Sequence, residues 1–243
     1  MEKLNSKRKM KILIIFISII FITCNKTDSK SQENILNTAI TKPYSEIKNN
    51  ISESREKVCE SYNTATNVQK DSIIQHTQSY LHTAITKELS PKWFGTEWDF
   101  NGISEIPGEG AVACGMFVTV ILRDAGFNVS RIKSGQLASE VFIEKLTKTI
   151  KRFSNAKMES VIDYIKNNSD GLYIVGLDSH VGFISKKGEK IAFIHSNYYS
   201  PHVKVMAQNL TETSPLTDSK YRILGKILDV EMTKKWILNE KVD

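Results

Sequence analysis

The stretch His180-Val181-Gly182-Phe183-Ile184-Ser185-Lys186-Lys187-Gly188-Glu189-Lys190-Ile191-Ala192-Phe193-Ile194-His195 reads as two apolar strands folded about a polar, glycine-bearing turn. A two-residue loop at 187 and 188, or a four-residue loop over 186 to 189, gives one and the same register and sets His180 directly opposite His195. Residues opposed in this way share a sheet face with their Cβ atoms about 5 Å apart. Ile191 and Phe193 belong to the face of His195, so the pair points toward core or cleft. Side chains alternate along a strand, and a one-residue slip would send the two histidines to opposite faces. Two imidazoles this close suit a base and the group that orients it. Asp178 and Asn197, two residues outside the pair on either side, share its face and are further candidates for the orienting role.

Working outward, short apolar runs at 172–177, 202–207 and 225–230 supply more strands. Helical patterns precede most of them, at 114–125, about 136–149 and about 156–168, with Gly126 and Gly171 just past two of the ends. Helices first and strands afterwards predict an α+β fold in which a helix packs on an antiparallel sheet. Residues 93–110 hold four glycines and one proline among aromatics, the composition of an ordered loop. The compact domain is expected over 91–243. Before it, residues 51–90 are helical and polar, with a thin stripe of Ile73, Ile74, Tyr80, Leu81, Ile85 and Leu89. His76 and His82 in that segment lack metal-ligand spacing and read as surface residues.

The N-terminus is of a different kind. Lys3, Lys7, Arg8, Lys9 and Lys11 precede an apolar run from Ile12 to Ile22, a basic-then-apolar order that reads as a secretory signal over residues 1–23 and is short for a bilayer span. Phe21-Ile22-Thr23-Cys24 resembles the lipobox of bacterial lipoproteins, which implies lipid attachment at Cys24 and a place on the cell envelope. Residues 24–50, rich in Asn, Lys, Ser and Thr, suit a tether. The formal net charge is +6. Five basic residues and one acid lie before position 24, so the rest of the chain carries only +2. The remaining Lys and Arg are interspersed with acids, with no basic stripe interleaved with aromatics, which argues against nucleic acid as a partner.

Cys114 opens the first helix of the compact domain, in Ala113-Cys114-Gly115-Met116-Phe117-Val118. Cys114, Phe117, Val118, Ile121 and Ala125 fall on one stripe, so the thiol lies at the N-terminal end of the buried face. Helix-start amides and a nearby imidazole both favour thiolate, the nucleophilic form, and the same amides can hold an oxyanion. Gly115 leaves room for a substrate, and Trp93 and Trp98 are candidate cleft walls. A free cysteine is also a common core residue, and Cys59 and Cys114 could instead form a disulfide in an exported protein. No Cys/His spacing suggests zinc, and neither metal nor organic cofactor is expected.

These residues resemble the NlpC/P60 type of papain-like cysteine peptidases over roughly residues 93–200. The resemblance is carried by Cys114-Gly115-Met116-Phe117-Val118 with Ala125-Gly126 at the helix end, His180-Val181-Gly182-Phe183-Ile184 and Phe193-Ile194-His195, and upstream by Gly95-Thr96-Glu97-Trp98-Asp99-Phe100-Asn101-Gly102. It implies a papain-like α+β fold, Cys114 as nucleophile, His180 as general base, His195 as third polar residue, and cleavage of an amide in peptidoglycan stem peptides. The chain departs from the family at Ala113, Gly115 and Met116, where Asp-Cys-Ser-Gly is usual, and at Trp98, where Tyr is common. The altered flank also fits an inactive lipid-anchored binding module or a structural envelope lipoprotein.

Overall fold

The computed structural model describes residues 42–243. The signal segment, Cys24 and the tether up to residue 41 lie outside the described residues.

Two long helices come first. α1 (Tyr44–Thr64) buries Ile47 and Ile51, so helix begins inside the stretch read as tether. α2 (Asn67–Thr83) starts at a capping box in which Thr66 and Gln69 each satisfy the other's backbone N–H. It runs on through a π-helical turn, Ala84–Leu89, into α3 (Ser90–Trp93). The stripe of Ile74, Leu81, Ala84, Ile85 and Leu89 is buried in the same cluster as Phe117, Val118 and Ile121. These helices therefore build the domain core. His82, expected at the surface, is buried and faces Ser185 Oγ at 3.1 Å.

α4 (Cys114–Asp124) is the central helix, buried almost all round from Met116 to Leu122. α5 (Arg131–Gly135) and α6 (Ser139–Leu146) follow. The single helix expected near 136–149 is thus α6 alone. Thr147 turns to an extended conformation and the chain enters β1 (Ile150–Ser154), a strand the sequence hid because only Phe153 on it is buried. Then come α7 (Met158–Asn167), β2 (Gly171–Leu177), β3 (Val181–Lys187), β4 (Lys190–Ser196), β5 (Val205–Gln208), α8 (Pro215–Asp218), β6 (Tyr221–Ile227) and α9 (Val230–Ile237). The last strand begins four residues before its expected start, because its second residue is Arg222. That side chain is 2 % exposed and donates to the carbonyls of Leu216, Ala156 and Thr217, so a strand that looks polar is interior. Leu228 then takes a left-handed φ of 58° and Asp229 caps α9 through Met232 N–H.

The six strands form one antiparallel sheet in the order β1-β6-β2-β3-β4-β5. Alternation divides its residues between two cores. Leu172, Ile174, Phe183 and Ile194 join the cluster of α1, α2 and α4, whereas Tyr173, Val175, Ile184 and Phe193 pack with Val161 and Ile165 of α7.

The β3–β4 hairpin differs from expectation in register. Phe183 pairs with Ile194 and Lys187 with Lys190, which leaves Gly188-Glu189 as the loop. Gly188 has φ 57° at the first loop position, where a type II′ turn needs glycine. The Asp170 carboxylate accepts its N–H at 2.9 Å. His195 therefore lies beside Gly182, and His180 is its diagonal neighbour instead of its direct partner. The displacement is two residues, so face parity survives and both histidines still look the same way.

Candidate active site

Cys114 sits where α4 meets the start of β3. The helix packs on the Phe183 face of the sheet, while the histidines occupy the Phe193 face. Thiol and imidazole can meet only at the end of the sheet, and the first residue of a helix aimed at the Ser179–Val181 corner satisfies that requirement. Cys114, Ser179, His180 and Val181 line one cavity.

His180 is 3 % exposed and His195 fully buried. The diagonal contact closes because Gly182 has no side chain. A Cβ there would lie 2.7 Å from Phe193 Cε2, 2.8 Å from His195 Cβ and 3.0 Å from the Ile194 carbonyl. The His195 ring stacks on Phe193 with centroids 4.0 Å apart and meets the His180 ring edge-on at 5.0 Å.

A chain of hydrogen bonds then sets both tautomers. Gln208 Nε2 donates to the Thr213 carbonyl at 3.3 Å, which leaves its Oε1 turned to His195 Nε2 at 2.8 Å. An amide oxygen only accepts, so His195 carries its proton on Nε2 and presents a lone pair at Nδ1. His180 Nε2 lies 2.8 Å from that Nδ1 and must donate. The His180 proton is thereby fixed on Nε2. Its Nδ1 is a bare lone pair, buried and without a protein hydrogen-bond partner.

Both rings are neutral at physiological pH. Burial drives His180 well below its ordinary value, with the neighbouring His195 charge adding to the effect. Burial also lowers His195 to about 4, against the opposing pull of Gln208. The thiol departs from expectation as well. Burial raises the Cys114 pKa and outweighs the N–H groups of Val181, Gly115 and Cys114 itself, which act in the opposite sense. Burial therefore favours a protonated thiol at Cys114 and a neutral imidazole at His180 in the cavity that both residues line. Iodoacetamide should accordingly alkylate Cys114 slowly near about pH 6 and faster by about tenfold per pH unit toward about pH 9. Mass spectrometry on a Cys59→Ser background reads this out, and a rate already level at the acid end would mean a standing thiolate.

Ala113 is extended and gives no side-chain cap, and the first intrahelical bond runs from Phe117 N to Ala113 O. The earlier amides of α4 are thus unclaimed by the helix. Gly115 allows α5 to lie against it, since a Cβ at 115 would meet the Gly135 carbonyl oxygen at 2.2 Å. α5 is held in turn by Arg131, which donates to the Ile103 and Ser104 carbonyls, and by the Asp243 carboxylate, which accepts from Ser130 N–H and Ser134 Oγ.

The other expected residues divide. Trp98 and Gly115 line the cleft. Trp93 does not. It is fully buried, donates to Tyr44 Oη at 2.9 Å and packs edge-on against Phe117, so it is a core residue. Asp178 accepts from Lys220 N and Tyr221 N and fixes the start of β6. Asn197 shapes its own loop through the Tyr199 and His202 carbonyls. Neither orients a histidine, and the side chain bonded to the His180 ring is that of His195. Cys59 and Cys114 are both free thiols. Among the described residues no group of three or more His, Cys, Asp or Glu could hold a metal ion. Gln208 is the residue the sequence reading missed. It is reached only through the β4–β5 register, in which it pairs with Phe193.

No family model matches the sequence, and no curated protein or solved structure matches it either.

Proposed function

We propose that the protein is a cysteine-dependent amide hydrolase with a papain-like arrangement, acting on peptides of the cell envelope, with peptidoglycan stem peptides the class implied by the sequence resemblance. The observation that carries this reading is the unpartnered, lone-pair-bearing Nδ1 of His180, a residue that lines the same cavity as Cys114. Its lowered pKa keeps it unprotonated and able to accept a proton well into the acid range.

The steps follow from the tautomers. His180 Nδ1 takes the thiol proton as Sγ attacks the scissile carbonyl, and the amides of the α4 first turn receive the developing oxyanion. The imidazolium formed keeps its Nε2–H on His195, whose own Nε2–H stays on Gln208. Collapse of the tetrahedral intermediate breaks the C–N bond as Nδ1 returns the proton to the leaving amine. Water, deprotonated by the same nitrogen, then hydrolyses the thioester. Coupling proton transfer to attack suits a thiol whose burial disfavours free thiolate.

Acid-quenched mixtures of the protein with purified stem peptides and with a panel of peptide amides test the reading. New amine ends should appear with wild type and vanish with Cys114→Ala, with a hydroxylamine-labile acyl adduct on the peptide that contains Cys114. Equal release by wild type and Cys114→Ala would overturn it. The raised thiol pKa, together with the altered flank of Cys114, favours an inactive binding module, and tight stem-peptide binding without turnover would support that second reading.

A further inference from the structure

We propose that the Trp98 side of the cleft is a specificity subsite for a large apolar side chain of the substrate, next to the amide that Cys114 attacks. The proposal rests on the amide-hydrolase reading and turns its preference away from stem peptides, which are built of small and charged residues. Cys114 divides the cleft into unlike halves. One, of about 640 Å³, is walled by Trp98, Phe100, Ile103, Met116 and Tyr198, and none of its lining residues is charged. The other, of about 560 Å³, holds Glu140, Asp178, Ser139 and His180. Both are of the size that takes a small organic group, and both are continuous with the thiol, so a bound chain crossing Cys114 has one apolar and one polar neighbour.

The apolar half is not a loop cast loose. Phe100 is 79 % exposed and Ile103 60 % exposed, yet the backbone that carries them is fastened. Arg131 grips the Ile103 and Ser104 carbonyls at 2.6 and 2.8 Å, Asp99 Oδ1 accepts from Asn101 N at 2.8 Å, and Ile103 bridges Val112. On the far wall Trp98 leans on Tyr198 with ring centroids 5.4 Å apart, and Tyr198 is held by Ser179 at 3.1 Å. Fixed backbone with apolar side chains left in water is the arrangement of a preformed pocket, and covering such surface is favourable by about 25 cal/mol per Å². A small or charged residue would leave the aromatic walls wet. An aromatic or branched aliphatic residue would cover Phe100 and Ile103 together.

The test uses peptide amides that differ only in the residues flanking the scissile bond, with Phe, Leu, Ala or Glu at each flank and a stem peptide as comparator. At one flank, kcat/KM for Phe or Leu should exceed that for Ala or Glu by about 10- to 100-fold. The paired change Phe100→Ser with Ile103→Ser should cut that ratio by about tenfold or more, whereas Ile132→Ser, on α5 outside the cavity, should leave it alone. The same peptides bound to Cys114→Ala, measured by calorimetry, should rank in the same order. Flat kinetics and flat binding, or preference for Glu or the stem peptide at both flanks, overturns the subsite. Absence of turnover with every peptide, alongside ranked binding, overturns the hydrolase and leaves the subsite standing.

Discussion

Exchange of His180 for alanine is expected to lower kcat/KM for amide hydrolysis by about 10²- to 10⁴-fold, the contribution of a positioned general base. The size follows from the thiol being neutral at rest. With burial holding the Cys114 pKa up, little thiolate exists without a base to make it during attack. Gln208→Leu should lose a large part of the same factor although Gln208 lies two bonds away from the chemistry. Without an acceptor at His195 Nε2, the His195 proton can move to Nδ1, and His180 must then turn a lone pair toward it and place its own proton on Nδ1, the nitrogen that the proposed mechanism uses as base. The base would become a donor. Gln208→Glu restores an acceptor to His195 and should recover most of kcat, with an acid limb moved upward because a carboxylate raises the His195 pKa. Steady-state kinetics across pH read all three variants. A His180→Ala protein with wild-type kcat would remove His180 from the mechanism.

The second large effect is on stability. The unfolded histidine value is 6.5 and burial sets His195 at about 4, so between these values the unfolded chain binds a proton that the native chain excludes. Stability therefore falls as the pH drops through that window. At about 1.4 kcal/mol for each pH unit, His195 alone removes about 3 kcal/mol between neutral pH and about pH 4, and His180, shifted in the same direction, adds to the loss. That is a sizeable share of the roughly 5–15 kcal/mol that holds an ordinary domain together. Carboxylates act later on the way down. Glu105, lowered by its bond to Arg123, and Asp170, lowered by its bond to Lys186, start from 4.5 and 3.8 and lose their contribution only as the pH falls through still lower values. Urea unfolding from about pH 7.5 to about pH 4 should show the decline beginning above pH 5. Histidine ring signals in NMR should show two rings that stay neutral well below 6.5, and normal titration of both would contradict the buried pair.

The residues of the site were legible where parity or helix position decided them. Cys114 is marked by the turn of glycine and alanine around it, and the histidines share a face under any even displacement of the hairpin. The register itself was not legible, since Lys187-Gly188 and Gly188-Glu189 are both plausible loops and only the type II′ geometry selects the second. Gln208 was hidden for a related reason, because its pairing with Phe193 depends on where the chain re-enters the sheet after the loop between β4 and β5. Trp93 was misread because an aromatic in a glycine-rich loop looks like a cleft wall until its indole N–H finds Tyr44 on a helix 49 residues earlier. The stripe along α2 and its π-helical turn looked too thin to build a core. It needs little apolar surface of its own, as α4 meets it with a helix buried nearly all round.

Gly182 has a consequence for recognising this arrangement in other chains. The two imidazoles touch diagonally across a slot that only a residue without Cβ leaves open. His-X-Gly on one strand and Phe-X-His on the next are therefore a single composite spelling, in which the glycine is as diagnostic as either histidine. A chain with both histidines and a bulkier residue in that slot would have its rings wedged apart. Its nucleophile would face an imidazole free to choose the wrong tautomer.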